Sequence, residues 1–210
     1  MKARFGRGYV NLAAFYSDYK DLQVPGSLAI DTDGDGIDDD FVGAVTNAGK
    51  ARIMGIELEG NVELVEGFRL IANGSLLDPE YRTFIVNGEN LADQRRIQNT
   101  PKFQSYVALA YSGDLGNGRI NVIGSWSHKS SITQFETPTP DIDQKAYDLF
   151  DASVVWKLDS GLSLGVHGKN LAGKQYKTSG YFFPTLGLEN NITAFYGPPR
   201  TFTFTIGYQY

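Results

Sequence analysis

The chain has no cysteine among its 210 residues. Disulfide staples, thiolate nucleophiles and cysteine-held metals are thereby excluded. It also lacks any apolar run of the roughly 18 residues that a membrane-crossing helix needs. That absence leaves β-barrels open, because a barrel strand spans with about 9–11 residues, half of them polar. Basic charge is in deficit: Lys and Arg number 19 against 24 Asp and Glu, a net charge of -5. Nucleic acid, which requires a basic face, is not an expected partner. The stretch Met1 to Tyr9 has no apolar core of the kind that marks an export signal. A destination outside the inner membrane would therefore require sequence upstream, and the chain is expected to be part of a longer protein.

What is abundant is Tyr (12), Phe (13) and Gly (24), the composition of strands and turns rather than helices. The segment Arg200–Tyr210 alternates without a fault. Phe202, Phe204, Ile206, Tyr208 and Tyr210 fall on one face, and Thr201, Thr203, Thr205, Gly207 and Gln209 on the other. An aromatic face backed by a Thr/Gln face suits a strand with lipid on one side and water on the other.

Seven earlier segments alternate in the same way: Val10–Tyr16, Ala51–Leu64, Phe68–Leu76, Lys102–Tyr111, Arg119–Ser127, Phe150–Trp156 and Leu162–Lys169. Phe15 and Ile123 are the blemishes. Short turns at Val65–Gly67, Gly113–Gly118 and Asp159–Gly161 join pairs of strands. Pro25–Gly49, Asp78–Thr100, Lys129–Ala146 and Tyr176–Pro199 read as long polar loops. Long and short connections alternate strictly, so all long loops gather at one end. Membrane barrels have that asymmetry, and soluble sandwiches have no reason for it. The charged residues Glu57, Glu59, Glu63, Arg69, His167 and Lys169 all take the parity of the wet face. The expected fold is all-β: an antiparallel, up-and-down transmembrane barrel of about eight strands over residues 1–210.

Several stretches, in order, carry a resemblance. They are Phe15-Tyr-Ser-Asp-Tyr-Lys-Asp-Leu-Gln23, Asn47-Ala-Gly-Lys-Ala51 running into Gly55-Ile-Glu-Leu-Glu-Gly60, and Thr100-Pro-Lys102. Then come Gly168-Lys-Asn-Leu-Ala-Gly-Lys-Gln-Tyr176 and Pro199-Arg-Thr201 before the aromatic last strand. Together they resemble the C-terminal part of the β-barrel of TonB-dependent outer-membrane receptors. The resemblance implies a barrel of about twenty-two strands with a plug in its lumen, of which this chain is the last third, without the plug. It also implies location in the bacterial outer membrane and no enzymatic activity. The function implied is uptake of a scarce solute such as an iron–siderophore complex. The partners implied are the TonB energy-coupling system, the plug, a small-molecule ligand and outer-membrane lipid. A self-contained eight-stranded barrel with a structural or lipid-modifying role is the alternative; it requires the first strand to pair with Arg200–Tyr210. A soluble calcium-dependent sandwich is a third reading, favoured only by one acidic loop.

That loop is Asp31-Thr-Asp33-Gly-Asp35-Gly36-Ile37-Asp38-Asp39-Asp40. Asp at alternate positions, a glycine turn and the Ile37 carbonyl form the opening of a calcium loop, with Asp31, Asp33, Asp35, Ile37 and Asp39 as candidate ligands. Position twelve is Val42 instead of the bidentate Glu. Two readings stand: a weak calcium clip, and a solvated acidic loop that holds no metal. No cofactor is required. Tyr181-Phe-Phe-Pro184 and Phe195-Tyr196 read equally as ligand-facing aromatics or as an interfacial belt. Isolated from its neighbours, such a sheet has two bare edges and a bare apolar face. In detergent-free buffer the 210 residues are expected to aggregate on a sizing column; a sharp, cooperatively melting monomer peak would overturn that expectation.

Overall fold

The computed structural model describes residues 1–32, 34, 36, 40–86, 88–183 and 191–210. Among them are twelve strands: β1 (Lys2–Phe5), β2 (Gly8–Ile30), β3 (Asp40–Val65), β4 (Phe68–Val86), β5 (Glu89–Asn90), β6 (Phe103–Asp114), β7 (Gly118–Lys129), β8 (Tyr147–Leu158), β9 (Leu162–Lys169), β10 (Lys177–Phe183), β11 (Asn191–Tyr196) and β12 (Thr201–Tyr208). The main sheet runs β1-β2-β3-β4-β6-β7-β8-β9-β12, with β5 attached to β4. Neighbours pair antiparallel throughout. The hairpin β10–β11 stands apart, inserted between β9 and β12. No pairing joins β1 to β12, so the sheet is open, and the closed eight-stranded barrel is not formed. No described segment forms a separate plug.

Register fixes which residues share a face. Leu12 pairs with Leu58, Ile56 with Leu76, Leu70 with Leu109, Val122 with Val154, and Leu164 with Ile206. Together they make a continuous apolar belt. Most of it is bare: Leu58 and Leu109 are about half exposed, and Phe204 and Ile206 are 77% exposed. Water would not tolerate such a belt; hydrocarbon does. Aromatic side chains edge it on both sides. Phe5, Phe68, Tyr111, Trp156 and Tyr208 lie toward the short turns, and Tyr16, Phe103, Trp126 and Phe150 toward the long connections. Paired girdles of this kind mark the two interfaces of a membrane barrel.

The other face is polar and concave. Phe15, which breaks the alternation, points inward opposite Gly55. A side chain at Gly55 would meet the Phe15 ring at 3.2 Å, so the glycine leaves room for it. At the short-turn end, Gly67 has φ 78°, and a Cβ there would sit 2.6 Å from the Ser112 carbonyl oxygen. Only glycine closes that hairpin without strain.

Three of the four expected loops are partly strand. β2 runs through Pro25 to Ile30, β3 starts at Asp40, β4 continues to Val86, and Tyr176–Pro199 contains β10 and β11. Pro25 pairs with Val45 in the β2–β3 ladder, on a two-stranded ribbon whose outer edge needs no donor there. Outside the bilayer the lipid-versus-water alternation lapses, so Pro, Gly and Asp no longer argue against a strand. The four-residue β1, also unexpected, is too short to show a period.

Above the membrane a small core forms from Ala51, Tyr81, Phe84 and Ala92, with Leu22, Val86 and Ile97 against it. The Arg95 guanidinium lies over the Phe84 ring at 5.4 Å. Burial, with a smaller contribution from Glu136, pushes the Tyr81 phenol up to about 12.

Candidate functional site

The polar face lines a basin of about 670 Å³ on the concave side of β2, β3, β4, β6, β7 and β8. Glu57 and Glu59 form one wall, and Tyr106, Lys129 and Tyr147 stand across from it. The Glu59 carboxylate accepts from the Tyr9 hydroxyl at 2.9 Å and from Asn11 Nδ2 at 3.1 Å, which holds it in place. Ser75, only 8% exposed, lines the same basin, and its buried Oγ has no hydrogen-bond partner among the described residues. Nearer the short turns lies a second concavity with Glu63, Arg69, Asp114 and Arg119 in its walls. There Arg69 donates to Asn61 at 3.0 Å and stands 3.8 Å from Glu63. Every charged residue assigned to the wet face by alternation is thus lumenal.

His167 is held between two hydroxyls, with Nδ1 2.8 Å from Ser153 Oγ and Nε2 3.2 Å from Thr205 Oγ1. No carboxylate orients the ring among the described residues, so the arrangement is a polar ladder across β8, β9 and β12 rather than a triad. His128 takes the opposite parity. It lies on the outward face beside the upper girdle, with Nδ1 2.9 Å from Asp148 Oδ1, which also accepts from the Trp126 indole at 2.9 Å.

The long connections are tied to one another beyond the strand ends. Arg96 N donates to the Glu136 carbonyl at 2.8 Å, Asn99 N to the Thr133 carbonyl at 2.9 Å, and Gln98 Nε2 to Glu136 Oε1 at 2.9 Å. Asp143 accepts from Gln134 N and Thr139 N, closing the β7–β8 connection on itself. Ile142, fully buried, packs on Gly180 of β10, where a Cβ would come within 2.9 Å of it. On the exposed side of that hairpin, Tyr181 and Phe195 meet edge-to-face at 5.8 Å.

The segment Gly168–Tyr176 forms a knot at the base of the hairpin. Asn170 is 4% exposed with φ 49°. Its Nδ2 donates to the carbonyls of Lys174 (2.8 Å) and Pro198 (3.1 Å), while Oδ1 accepts from Lys174 N at 2.8 Å. Tyr176 stacks on Tyr147 at 4.7 Å and seats its ring against Gly197. Alternation could not have found this knot, because Asn170 lies where the alternation ends.

Of the candidate metal ligands, only Asp31 lies within the described residues; Asp33, Asp35, Ile37 and Asp39 lie outside them. The Asp31 carboxylate accepts from Gly34 N at 2.6 Å and Gly36 N at 2.8 Å. Among the described residues no group of three or more His, Cys, Asp or Glu could hold a metal ion.

A family model for the TonB dependent receptor-like β-barrel matches residues 1–171. The chain belongs to that family. It is accordingly a barrel portion of the bacterial outer membrane, in a family of receptors and transporters rather than enzymes. The pesticin receptor of Yersinia enterocolitica is 23% identical over 176 residues, 80% of this chain and 23% of the relative. A ferric-pyoverdine M114 receptor, PbuA, of a Pseudomonas species is 24% identical over 168 residues, 76% of this chain and 18% of the relative. This TonB-dependent receptor barrel thus spans less than a quarter of the length of these two relatives. In structure it is similar to the ferric yersiniabactin uptake receptor FyuA from Yersinia pestis, with a TM-score of 0.75 at 20% identity, over 99% of this chain and 29% of that one. It is also similar to BauA, the ferric preacinetobactin receptor from Acinetobacter baumannii, with a TM-score of 0.67 at 19% identity, over 98% of this chain and 28% of that one. At such identities the likeness shows the shared barrel fold.

Proposed function

We propose that the chain serves TonB-dependent uptake of an iron–siderophore complex across the outer membrane, without enzymatic activity, as part of a longer receptor. The polar basin carries this reading. It faces the lumen, and the outer connections beyond it are tied to one another, as a path for a bulky polar solute requires. The relatives named as receptors for ferric pyoverdine, ferric yersiniabactin and ferric preacinetobactin support the same solute class. Glu57 and Glu59 are the groups that would meet the plug, through a basic plug side chain. In an iron-starved host carrying the complete reading frame, labelled ferric siderophore should accumulate only when TonB is present. Equal accumulation with and without TonB would remove the proposal.

A weak calcium clip at Asp31, Asp33, Asp35, Ile37 and Asp39 is the companion proposal. Calorimetry on the membrane-inserted protein should show binding with a Kd on the order of 10⁻⁴–10⁻³ M, abolished by Asp31→Asn. Flat heats through that range would leave the loop as a solvated acidic surface.

A further inference from the structure

The lumenal face of this wall changes character from one side of the sheet to the other. On the adjacent strands β3 and β4 it carries Glu57, Glu59, Glu63 and Arg69. Two of these charges are held in place while staying open to the lumen. Glu59 is exposed and fixed by Tyr9 and Asn11, and Arg69 is half-exposed and fixed by Asn61. An ion whose geometry is set in advance holds a complementary group firmly.

The face made by β9 and β12 is built differently. Running from the long connections to the short turns, its lumenal positions are His167, Gly165 and Ser163, paired with Thr203, Thr205 and Gly207. No carboxylate, lysine or arginine stands among them. Its polar groups bond to one another. Ser153 Oγ of β8 and Thr205 Oγ1 hold the His167 ring at 2.8 and 3.2 Å, and Ser163 Oγ donates to the Gly207 carbonyl at 3.3 Å. Both glycines let neighbouring side chains lie down against the sheet. A Cβ on Gly165 would run into Thr205 Oγ1 and come within 2.9 Å of His167 Nε2, and one on Gly207 would come within 2.8 Å of Ser163 Oγ.

We propose that the ferric complex crosses the membrane along the β9–β12 face, while the β3–β4 face keeps its hold on the plug. The inference rests on the uptake reading above and adds the route to it. A moving solute needs a wall that it can leave, because every firm contact on the way is a stop. Hydrogen bonds to ions are roughly twice as strong as those between neutral groups, and the hydroxyls of the β9–β12 face are already engaged within the wall. The plug therefore separates first from the neutral face, and the gap opens there.

The test uses the complete receptor in its own iron-starved host, with TonB present or deleted. Conditioned medium of that host, loaded with radioactive iron, supplies the solute. Single cysteines are placed at Ser163→Cys and Thr203→Cys on the neutral face, and at Ile71→Cys and Asn73→Cys on the lumenal side of β4. This portion of the wall contributes no thiol of its own. A membrane-impermeant maleimide added outside should label Ser163→Cys and Thr203→Cys severalfold faster when solute and TonB are both present, and the β4 pair at an unchanged rate. A rise on β4 as large as on β9 and β12, or a rise on β4 alone, overturns the route. No rise at any of the four, while radioactive iron still accumulates through TonB, overturns the route and leaves uptake standing. No TonB-dependent accumulation in wild type removes the uptake reading, and the route with it. Thr203→Lys gives a reading that needs no labelling. An ion on the neutral face should lower uptake severalfold, whereas Ser125→Lys, opposite Asp151, should not. Wild-type uptake in Thr203→Lys, shown to be folded by heat-dependent gel migration, overturns the route.

Discussion

Replacing Asn170 by alanine is expected to lower the stability of the folded barrel by about 2–4 kcal/mol, through three lost hydrogen bonds at about 1 kcal/mol each and a strained backbone. The side chain is buried, and both its amide hydrogens and its oxygen are used. Removing it leaves the Pro198 carbonyl and both backbone groups of Lys174 without those partners. Alanine also tolerates φ 49° poorly, whereas asparagine visits the left-handed region readily. Asn170→Gly separates the two causes, since it relieves the backbone and restores no hydrogen bond. Urea unfolding in detergent, followed by heat-dependent gel migration, should place the alanine variant lowest and glycine between it and wild type. A coincident midpoint for alanine and wild type would show that the knot contributes nothing.

Leu109→Arg should cost about 2–4 kcal/mol and strongly reduce insertion, because the charge would sit at mid-belt against lipid. Leu109 pairs with Leu70 on one side and Gly124 on the other, well inside both girdles. Ser125→Arg is the matched control. It lies on the next strand at nearly the same depth but faces the lumen opposite Asp151, where a cation is welcome. Insertion yields from membrane fractionation should fall for Leu109→Arg and hold for Ser125→Arg. Equal yields would contradict the assignment of the two faces.

Those faces were the most legible part of the chain. Lipid and lumen impose a period of two on every spanning strand, and that period survives single faults such as Phe15 and Ile123. Glu57, Glu59, Glu63, Arg69, His167 and Lys169 could be assigned to the lumen from parity alone, and the register agrees. Where the membrane ends, the signal ends. The upper halves of β2 and β3 and the β10–β11 hairpin carry Pro, Gly and Asp because water bathes them, so they read as loops. The knot at Asn170 was visible only as part of a resemblance. Its physics depends on Pro198, 28 residues away, which no local pattern connects to it. The partnerless Ser75 hydroxyl was equally hidden, since a serine of lumenal parity looks like any other.

The excursion from β9 to β12 leaves the sheet at Asn170 and returns at Pro198, and one side chain fastens both ends. β9 and β12 pair in register from Lys169–Thr201 to Leu162–Tyr208 regardless of what the chain does in between. The excursion can therefore lengthen, shorten or be replaced without disturbing the last seam of the barrel, provided the asparagine stays. Receptors built on this plan can change what they display to the outside while inheriting an unaltered wall, and exchanging this hairpin between relatives becomes a graft with defined ends.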